Sequence, residues 1–360
     1  FWALGILLAA KVITVLTTLS LSAIATNTQI KGGGAYFLIS RSLGVEFGGA
    51  IGVVFFLAQA ISVAMYVIGF TEAFTATFPA LANHRESVAS TVNLLVFVCV
   101  FIGAGWTIKL QYGILAILLL SILSFAFGSI GSFDADILSD NLGSSYPEGQ
   151  SFFTMFALFF PAATGIMAGA NMSGDLRDPA KSIPRGTLGA IAFTGTVYAG
   201  MALLLGGSEP RATLQTDNMV VREVAAFGPL ITAGIFAATL SSAIGSMMGA
   251  PRILQALARD RIFRRLNPFS QGSGASNEPR RAVVATFVIA EFGILVGDLD
   301  LIAPIITMFF MVTYGYLNLA TFQESYTRNP SYRPTFRWTH WTIALLGAVS
   351  CALVMLLVAP

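Results

Sequence analysis

A proline and a glycine interrupt one apolar stretch of the chain, residues 159–176, at Pro161 and Gly165. Proline has no N–H group and displaces the carbonyl oxygen four residues earlier, so acceptors between Ala157 and Pro161 lose their helical partners. Bare polar backbone is costly in an apolar environment and persists where it lines a cavity or binds a ligand. These carbonyl oxygens, together with the hydroxyl of Thr164, therefore suit a dehydrated cation.

The other side of this interruption offers backbone N–H groups instead of carbonyl oxygens. Glycine tolerates dihedral angles that a helix does not, and the N–H groups of Gly165, Ile166 and Met167 would open a second half-helix. The N-terminus of a helix favours an anion. No charged side chain lies close by in the sequence, which fits small ions better than a zwitterionic substrate. The alternative that this stretch leaves open is a proline kink stabilised by neighbouring helices.

The composition predicts that the elements around this interruption are membrane-spanning helices. Of the 360 residues, 55% are hydrophobic and 11% are charged, whereas a soluble domain carries about 25% charged residues. Stretches of roughly 17 to 25 residues almost without charge are long enough to cross a bilayer as helices. Ten such spans are predicted, at residues 1–27, 47–71, 88–108, 110–133, 149–174, 186–208, 224–251, 282–298, 301–323 and 338–360. The predicted fold class is therefore an all-α, polytopic membrane protein.

The distribution of Lys and Arg orients these spans, because inner loops carry the excess of positive charge. If the first span runs from outside to inside, the inner loops hold most of the 20 Lys and Arg residues, Lys31 and Lys109 among them. The outer loops then hold only Arg85, Arg211 and Arg222. We therefore expect the chain to begin outside, with an odd number of spans before it.

The interruption falls in the fifth predicted span. Transporters with broken helices are commonly built from two inverted repeats, with the broken helices at matching positions. In a repeat of five plus five spans, the mate of the interrupted span would come just before the first residue of this chain. We therefore expect the chain to lack half of its own binding site.

Several long stretches resemble the cation–chloride cotransporter family, with the sodium–potassium–chloride branch as the nearest match. The stretches are "LSLSAIATNTQIKGGGAYFLISRSLGVEFGGAIG", "AMYVIGFTEAF", "FFPAATGIMAGANMSGDLRDPAKSIPRGTL", "GIFAATLSSAIGSMMGAPRILQALARD" and "LIAPIITMFFMVTYGYLNLATF". The resemblance implies a LeuT-type inverted-repeat fold within the amino acid–polyamine–organocation superfamily. It also implies that residues 1–360 form a single, incomplete transmembrane transporter domain, from the second to the eleventh helix of the family fold.

The resemblance implies ion ligands beside the interruption. The implied potassium ligands are Tyr66, the carbonyl of Pro161, and Thr164. The implied chloride ligands are the backbone groups of Gly165, Ile166 and Met167 with the side chain of Tyr314. Tyr316 is a weaker candidate than Tyr314, because two residues along a helix it lies on another face. A second chloride site and half of the potassium site would belong to the first helix of the family fold.

A sodium site is implied by the sequence "ATLSS". Its ligands would be the Ala238 carbonyl and the hydroxyls of Ser241 and Ser242. Ser242 favours sodium coupling, because the potassium–chloride branch of the family lacks this second hydroxyl. A stripe of small residues, Ser241, Gly245 and Gly249, could instead serve only to pack helices together. From the residues alone, both interpretations stay open.

Two of the charged residues in or near the predicted spans could take part in function. Glu72 resembles the extracellular-gate carboxylate of the family, whose arginine partner lies in the first helix, so we expect Glu72 to be unpaired in this chain. Lys11 departs from the family, which has an apolar or small residue at this depth. A lysine inside a membrane is a functional hypothesis by default, here as a replacement for the charge of a cation. The alternative is that Lys11 extends its ammonium to water.

These residues together predict a secondary-active symporter that moves chloride with sodium and potassium across the cell membrane by alternating access, and not an enzyme. The alternatives are an amino-acid permease-like relative of the same superfamily and a potassium–chloride symporter without sodium. We expect no cofactor; the transported ions are Na⁺, K⁺ and Cl⁻. The expected partners are membrane lipid, these small inorganic ions and a second copy in a homodimer of the full-length protein, and no nucleic acid is expected.

Overall fold

The computed structural model describes residues 2–27, 33–146, 149–274 and 277–358. The α-helices of the described residues are α1 (Trp2–Asn27), α2 (Gly34–Leu43), α3 (Val45–Thr77), α4 (Arg85–Ile102), α5 (Ala104–Ser132), α6 (Ala135–Asn141), α7 (Phe152–Phe159), α8 (Ala168–Asn171), α9 (Pro179–Ser208), α10 (Arg211–Thr216), α11 (Val220–Val224), α12 (Gly228–Arg259), α13 (Arg280–Val296), α14 (Leu299–Tyr326) and α15 (Trp341–Val358). The predicted span limits Phe1 and Pro360, and Lys31 of the first inner loop, lie outside the described residues.

Eight helices in the described part of the chain are long and apolar enough to cross a membrane, namely α1, α3, α4, α5, α9, α12, α14 and α15. The other two predicted spans correspond to α13, which has 17 residues, and to the interrupted segment from α7 to α8. Large apolar side chains such as Leu120, Phe127 and Leu356 are exposed on the outer faces of the helices, where lipid would cover them. The prediction of an all-α, multi-pass membrane protein is confirmed.

The boundary between α4 and α5 differs from its prediction. The charge of Lys109 marks a loop in the sequence, but the chain turns at Gly103, whose φ of 145° favours glycine. Lys109 therefore lies inside α5 with an exposed side chain, and not in an inner loop. A helix accommodates this charge near its inner end, because the long side chain of lysine carries its ammonium to water.

Helix α2 lies in the loop between the first two spans and ties this loop to the end of α12. The Tyr36 hydroxyl donates to Asp260 at 2.6 Å, and Arg41 forms an ion pair with the same carboxylate at 3.0 Å. Burial, together with the hydrogen bond to Asp260, raises the pKa of Tyr36 above its ordinary value. The inner end of α12, the helix with the predicted sodium ligands, is thereby attached to the first inner loop.

Three helices, α3, α12 and α14, position the candidate site through their aromatic contacts. The ring of Phe70 on α3 lies 5.0 Å from that of Phe236 on α12. Phe310 and Tyr314 on α14 lie 5.7 Å apart, and Tyr314 also meets Phe160 of the interrupted segment at 6.2 Å. Rigid aromatic rings that bury large areas fix the helices relative to one another.

Candidate ion-binding site

The predicted interruption is present in the structure. Helix α7 ends at Phe159, and one turn of 3₁₀ helix, Phe160–Ala163, includes the proline. Thr164 then adopts an extended conformation, and Gly165 has a φ of 93°, in the left-handed region that L side chains rarely adopt. The helix is thus divided into two short halves with irregular backbone between them.

The carbonyl oxygen of Ala157 is the acceptor that Pro161 leaves without its helical partner. The structure supplies a replacement, because the Thr307 hydroxyl of α14 donates to this oxygen at 2.6 Å. Thr307 is fully buried, so the hydrogen bond is formed where no bulk water competes with it. The sequence reasoning missed Thr307, since the two partners are separated by 150 residues.

Two further carbonyl groups of the interruption also have side-chain partners. The Tyr198 hydroxyl of α9 donates to the Ala162 carbonyl at 3.0 Å. The Pro161 carbonyl accepts from the Thr164 hydroxyl at 2.6 Å and from the Thr164 amide at 3.2 Å. A cation bound at the Pro161 carbonyl would therefore require the Thr164 hydroxyl to turn its oxygen, instead of its hydrogen, towards the ion.

We expect Thr307→Val to lower the melting temperature of the purified protein in detergent. Valine keeps the shape of threonine but leaves the buried Ala157 carbonyl without a partner, which costs about 1–3 kcal/mol. The matched control is Thr313→Val on the same helix, because the buried Thr313 hydroxyl bonds only within α14, to the Phe309 carbonyl at 2.9 Å. Equal melting temperatures for the two variants would contradict this role of Thr307.

The amide groups after the interruption remain available. The carbonyls of Gly165 and Met167 accept from the amides of Ala168 at 3.0 Å and Asn171 at 2.8 Å. In contrast, the N–H groups of Gly165, Ile166 and Met167 donate to no backbone carbonyl of the described residues. The side chains of Ile166 and Met167 are buried. These three adjacent donors therefore lack a carbonyl partner, and the first of them, Gly165, is exposed.

The structure brings the predicted potassium and chloride ligands together. The Tyr66 hydroxyl of α3 interacts with the Thr164 side chain, and the Tyr314 hydroxyl of α14 faces the Gly165 amide. Tyr314 is completely buried, and its hydroxyl has no hydrogen-bond partner among the described residues. Tyr316, the weaker candidate, packs against Phe47 at 6.1 Å and points elsewhere.

The predicted sodium ligands lie on α12. Gln111 of α5 donates to the Ser241 carbonyl at 3.1 Å and accepts from the Ser241 hydroxyl, so Ser241 takes part in helix packing in this conformation. Ala238 and Ser242 are half-buried beside it. Neighbouring Thr239 faces Gly69 of α3, the helix that also carries Tyr66.

The expectation that Glu72 is unpaired is wrong for this structure. Helix α3 continues past its predicted end to Thr77, and the 3₁₀ turn Pro79–His84 reverses the chain. Arg85, the first residue of α4, then forms an ion pair with Glu72. Both side chains are substantially exposed, so this pair is accessible to water at the outer end of the protein.

Comparisons with known proteins show the family of the chain. Residues 3–360 match the amino acid permease family. The chain is 42% identical, over 97% of its length, to solute carrier family 12 member 2 of Squalus acanthias. It is 40% identical over 98% of its length to the human member 2, and 39% identical over 98% to member 1 of Mus musculus.

The alignments cover 34% of each of these two member 2 proteins and 37% of the mouse member 1. The chain therefore spans about a third of the length of the curated relatives it matches. The matched part of the chain includes the interrupted helix and the helices around it. The chain therefore belongs to the amino acid permease family, and it is similar to members 1 and 2 of solute carrier family 12.

Proposed function

We propose that the protein is a secondary-active symporter that moves chloride together with sodium and potassium by alternating access. The observation that carries this proposal is the convergence of two kinds of ligand at one interruption. Oxygen atoms of Tyr66, Pro161 and Thr164 lie on one side, and the unpaired amides that begin at Gly165 lie on the other, beside Tyr314. Hard oxygen ligands suit alkali cations, and backbone N–H groups suit chloride.

This arrangement also gives a physical reason for coupled transport. A potassium ion on the carbonyl side and a chloride ion on the amide side would be close neighbours in a region of low dielectric constant. Two opposite unit charges 4 Å apart attract each other by about 4 kcal/mol at an effective dielectric constant of 20. Each ion therefore raises the affinity for the other, and this coupling is reciprocal.

Sodium is assigned to Ala238, Ser241 and Ser242 on α12. In this conformation the Ser241 hydroxyl is directed to Gln111, so sodium binding at Ser241 would replace part of that contact. Potassium–chloride symport without sodium is the second candidate function, and the engagement of Ser241 by Gln111 is the observation that favours it.

The proposal is tested by chloride uptake into vesicles that contain the full-length protein. Sodium and potassium are each replaced by N-methylglucamine. Unlabelled chloride, which competes with the labelled chloride, is replaced by gluconate. We expect uptake of labelled chloride to fall at least about tenfold when potassium is removed, as the coupling energy above predicts, and to fall also when sodium is removed. Vesicles without the protein are the control.

Each outcome of this experiment has a defined meaning. Uptake that needs potassium but is indifferent to sodium would replace the proposal with potassium–chloride symport. Uptake that ignores both cations would refute cation-coupled chloride transport. Uptake of labelled amino acids, with no response to chloride, would identify the protein as an amino-acid permease.

A further inference from the structure

A lysine lies well inside the membrane-spanning part of the protein. Lys11 is nine residues beyond Trp2 in α1, which places it roughly 13 Å along the helix axis from Trp2. Its ammonium donates to the Thr194 hydroxyl of α9 at 2.9 Å and lies 4.9 Å from the centre of the Tyr198 ring. The side chain therefore crosses to α9 and does not extend along α1 towards water.

This ammonium faces a cavity that reaches the interruption. The cavity has a volume of about 350 Å³, and Thr164, Gly165 and Ile166 form part of its wall together with Lys11. Tyr198 links the two parts of the wall, since its ring lies under the ammonium and its hydroxyl bonds to the Ala162 carbonyl. Lys11 and the interrupted helix therefore line the same cavity.

Among the described residues, the charge of Lys11 has no counter-charge in this space. The described residues that line the cavity include hydroxyl groups but no aspartate or glutamate. The Thr194 hydroxyl accepts a hydrogen bond from one of the three N–H groups of the ammonium. The Tyr198 ring interacts with the positive charge through its π face. Lys11 is half-buried, and a cation removed from water is costly unless an opposite charge accompanies it.

We propose that this cavity binds a small monovalent anion, with the Lys11 ammonium as its counter-charge and the exposed hydroxyl groups of the wall as further donors. We take the anion to be chloride because chloride is transported in the proposed function. Only this choice of ion rests on the proposed function. The fixed charge of Lys11 holds chloride beside the amides of Gly165 and Ile166.

The test measures chloride binding without transport. The full-length protein is purified in detergent, and its melting temperature is followed as gluconate is replaced by chloride at constant ionic strength. We expect Lys11→Met to raise the chloride concentration for half-maximal stabilisation by about tenfold, since the variant removes the opposite charge nearest to the anion. Lys11→Arg, which keeps the charge, is expected to stay close to the unmodified protein.

Lys109→Met is the matched control, because Lys109 is an exposed lysine inside α5. This variant should leave the chloride dependence unchanged. If Lys11→Met fails to fold, Lys11→Gln removes the charge and retains a polar contact with Thr194. A chloride dependence that is the same in the unmodified protein and in the neutral Lys11 variant would overturn the proposal.

Failure of this proposal can be distinguished from failure of the proposed function. If uptake requires both cations while the neutral Lys11 variants bind chloride normally, the anion cavity is wrong and the symport proposal stands. If the neutral variants lose chloride-dependent stabilisation while uptake ignores the cations, the anion cavity is correct and the symport proposal fails.

Discussion

Replacement of Gly165 by alanine is expected to lower chloride uptake by at least about tenfold. Gly165 has a φ of 93°, and a Cβ atom built there meets nothing within 4 Å. The effect therefore comes from the backbone and not from a clash. Alanine disfavours left-handed conformations by roughly 1–2 kcal/mol, so the chain relaxes and rotates the amides of Gly165 and Ile166 away from their common direction. A loss of about 1.4 kcal/mol corresponds to a tenfold loss of affinity.

Gly169→Ala is the matched control for this variant. Gly169 lies in α8 and also lines the cavity, and a Cβ atom there likewise meets nothing within 4 Å. Its backbone is helical, so alanine is accommodated without strain. The measurement is the initial rate of labelled chloride uptake, corrected for the amount of protein in the vesicles. Equal rates for the two variants would show that the conformation of Gly165 does not determine anion transport.

Replacement of Ser242 by alanine is expected to weaken the sodium activation of chloride uptake. The proposed site has only neutral oxygen ligands, so the loss of one removes a large fraction of the attraction for a dehydrated cation. The measured quantity is the sodium concentration that gives half-maximal uptake, which should rise at least about tenfold or become unmeasurable. The alanine side chain is smaller and suits a helix, so the amount of folded protein should not change.

Ser246→Ala provides the matched control for Ser242→Ala. Ser246 lies one helical turn further along α12 on the same face, is buried, and is outside the proposed ligand set. Its replacement should leave sodium activation intact. Normal sodium activation of the Ser242→Ala variant would remove Ser242 from the site and leave helix packing as the role of the neighbouring Ser241.

Local chemistry made the interruption predictable. Proline without an N–H group and glycine with freedom in φ are properties of single residues, so Pro161 and Gly165 located the irregular backbone in advance, as the structure shows. Their partners depend on tertiary packing. Thr307 and Tyr198 lie on other helices, and no local pattern distinguishes them from the remaining buried hydroxyl groups of the described residues.

The two corrected predictions have different origins. Glu72 is expected to be unpaired because the resemblance places its arginine partner in the first helix of the family fold. Lys109 is expected in a loop because a charge often marks the end of a membrane span, but a long side chain near a helix end can reach water while the backbone stays helical. Lys109 therefore lies inside α5. The chain turns instead at Gly103, whose positive φ favours glycine. Glu72 lies inside α3, which continues to Thr77 and brings Arg85 within reach of it after the turn.

The hydrogen bond between Thr307 and Ala157 has a mechanical consequence. It connects the first half of the broken helix to α14. Tyr314, which faces the Gly165 amide, lies about two turns further along the same helix. A tilt of α14 would displace a ligand of the anion and the half-helix next to the cation in a single movement. Both ions would then be released in the same step, which prevents slippage, the escape of one ion without the other.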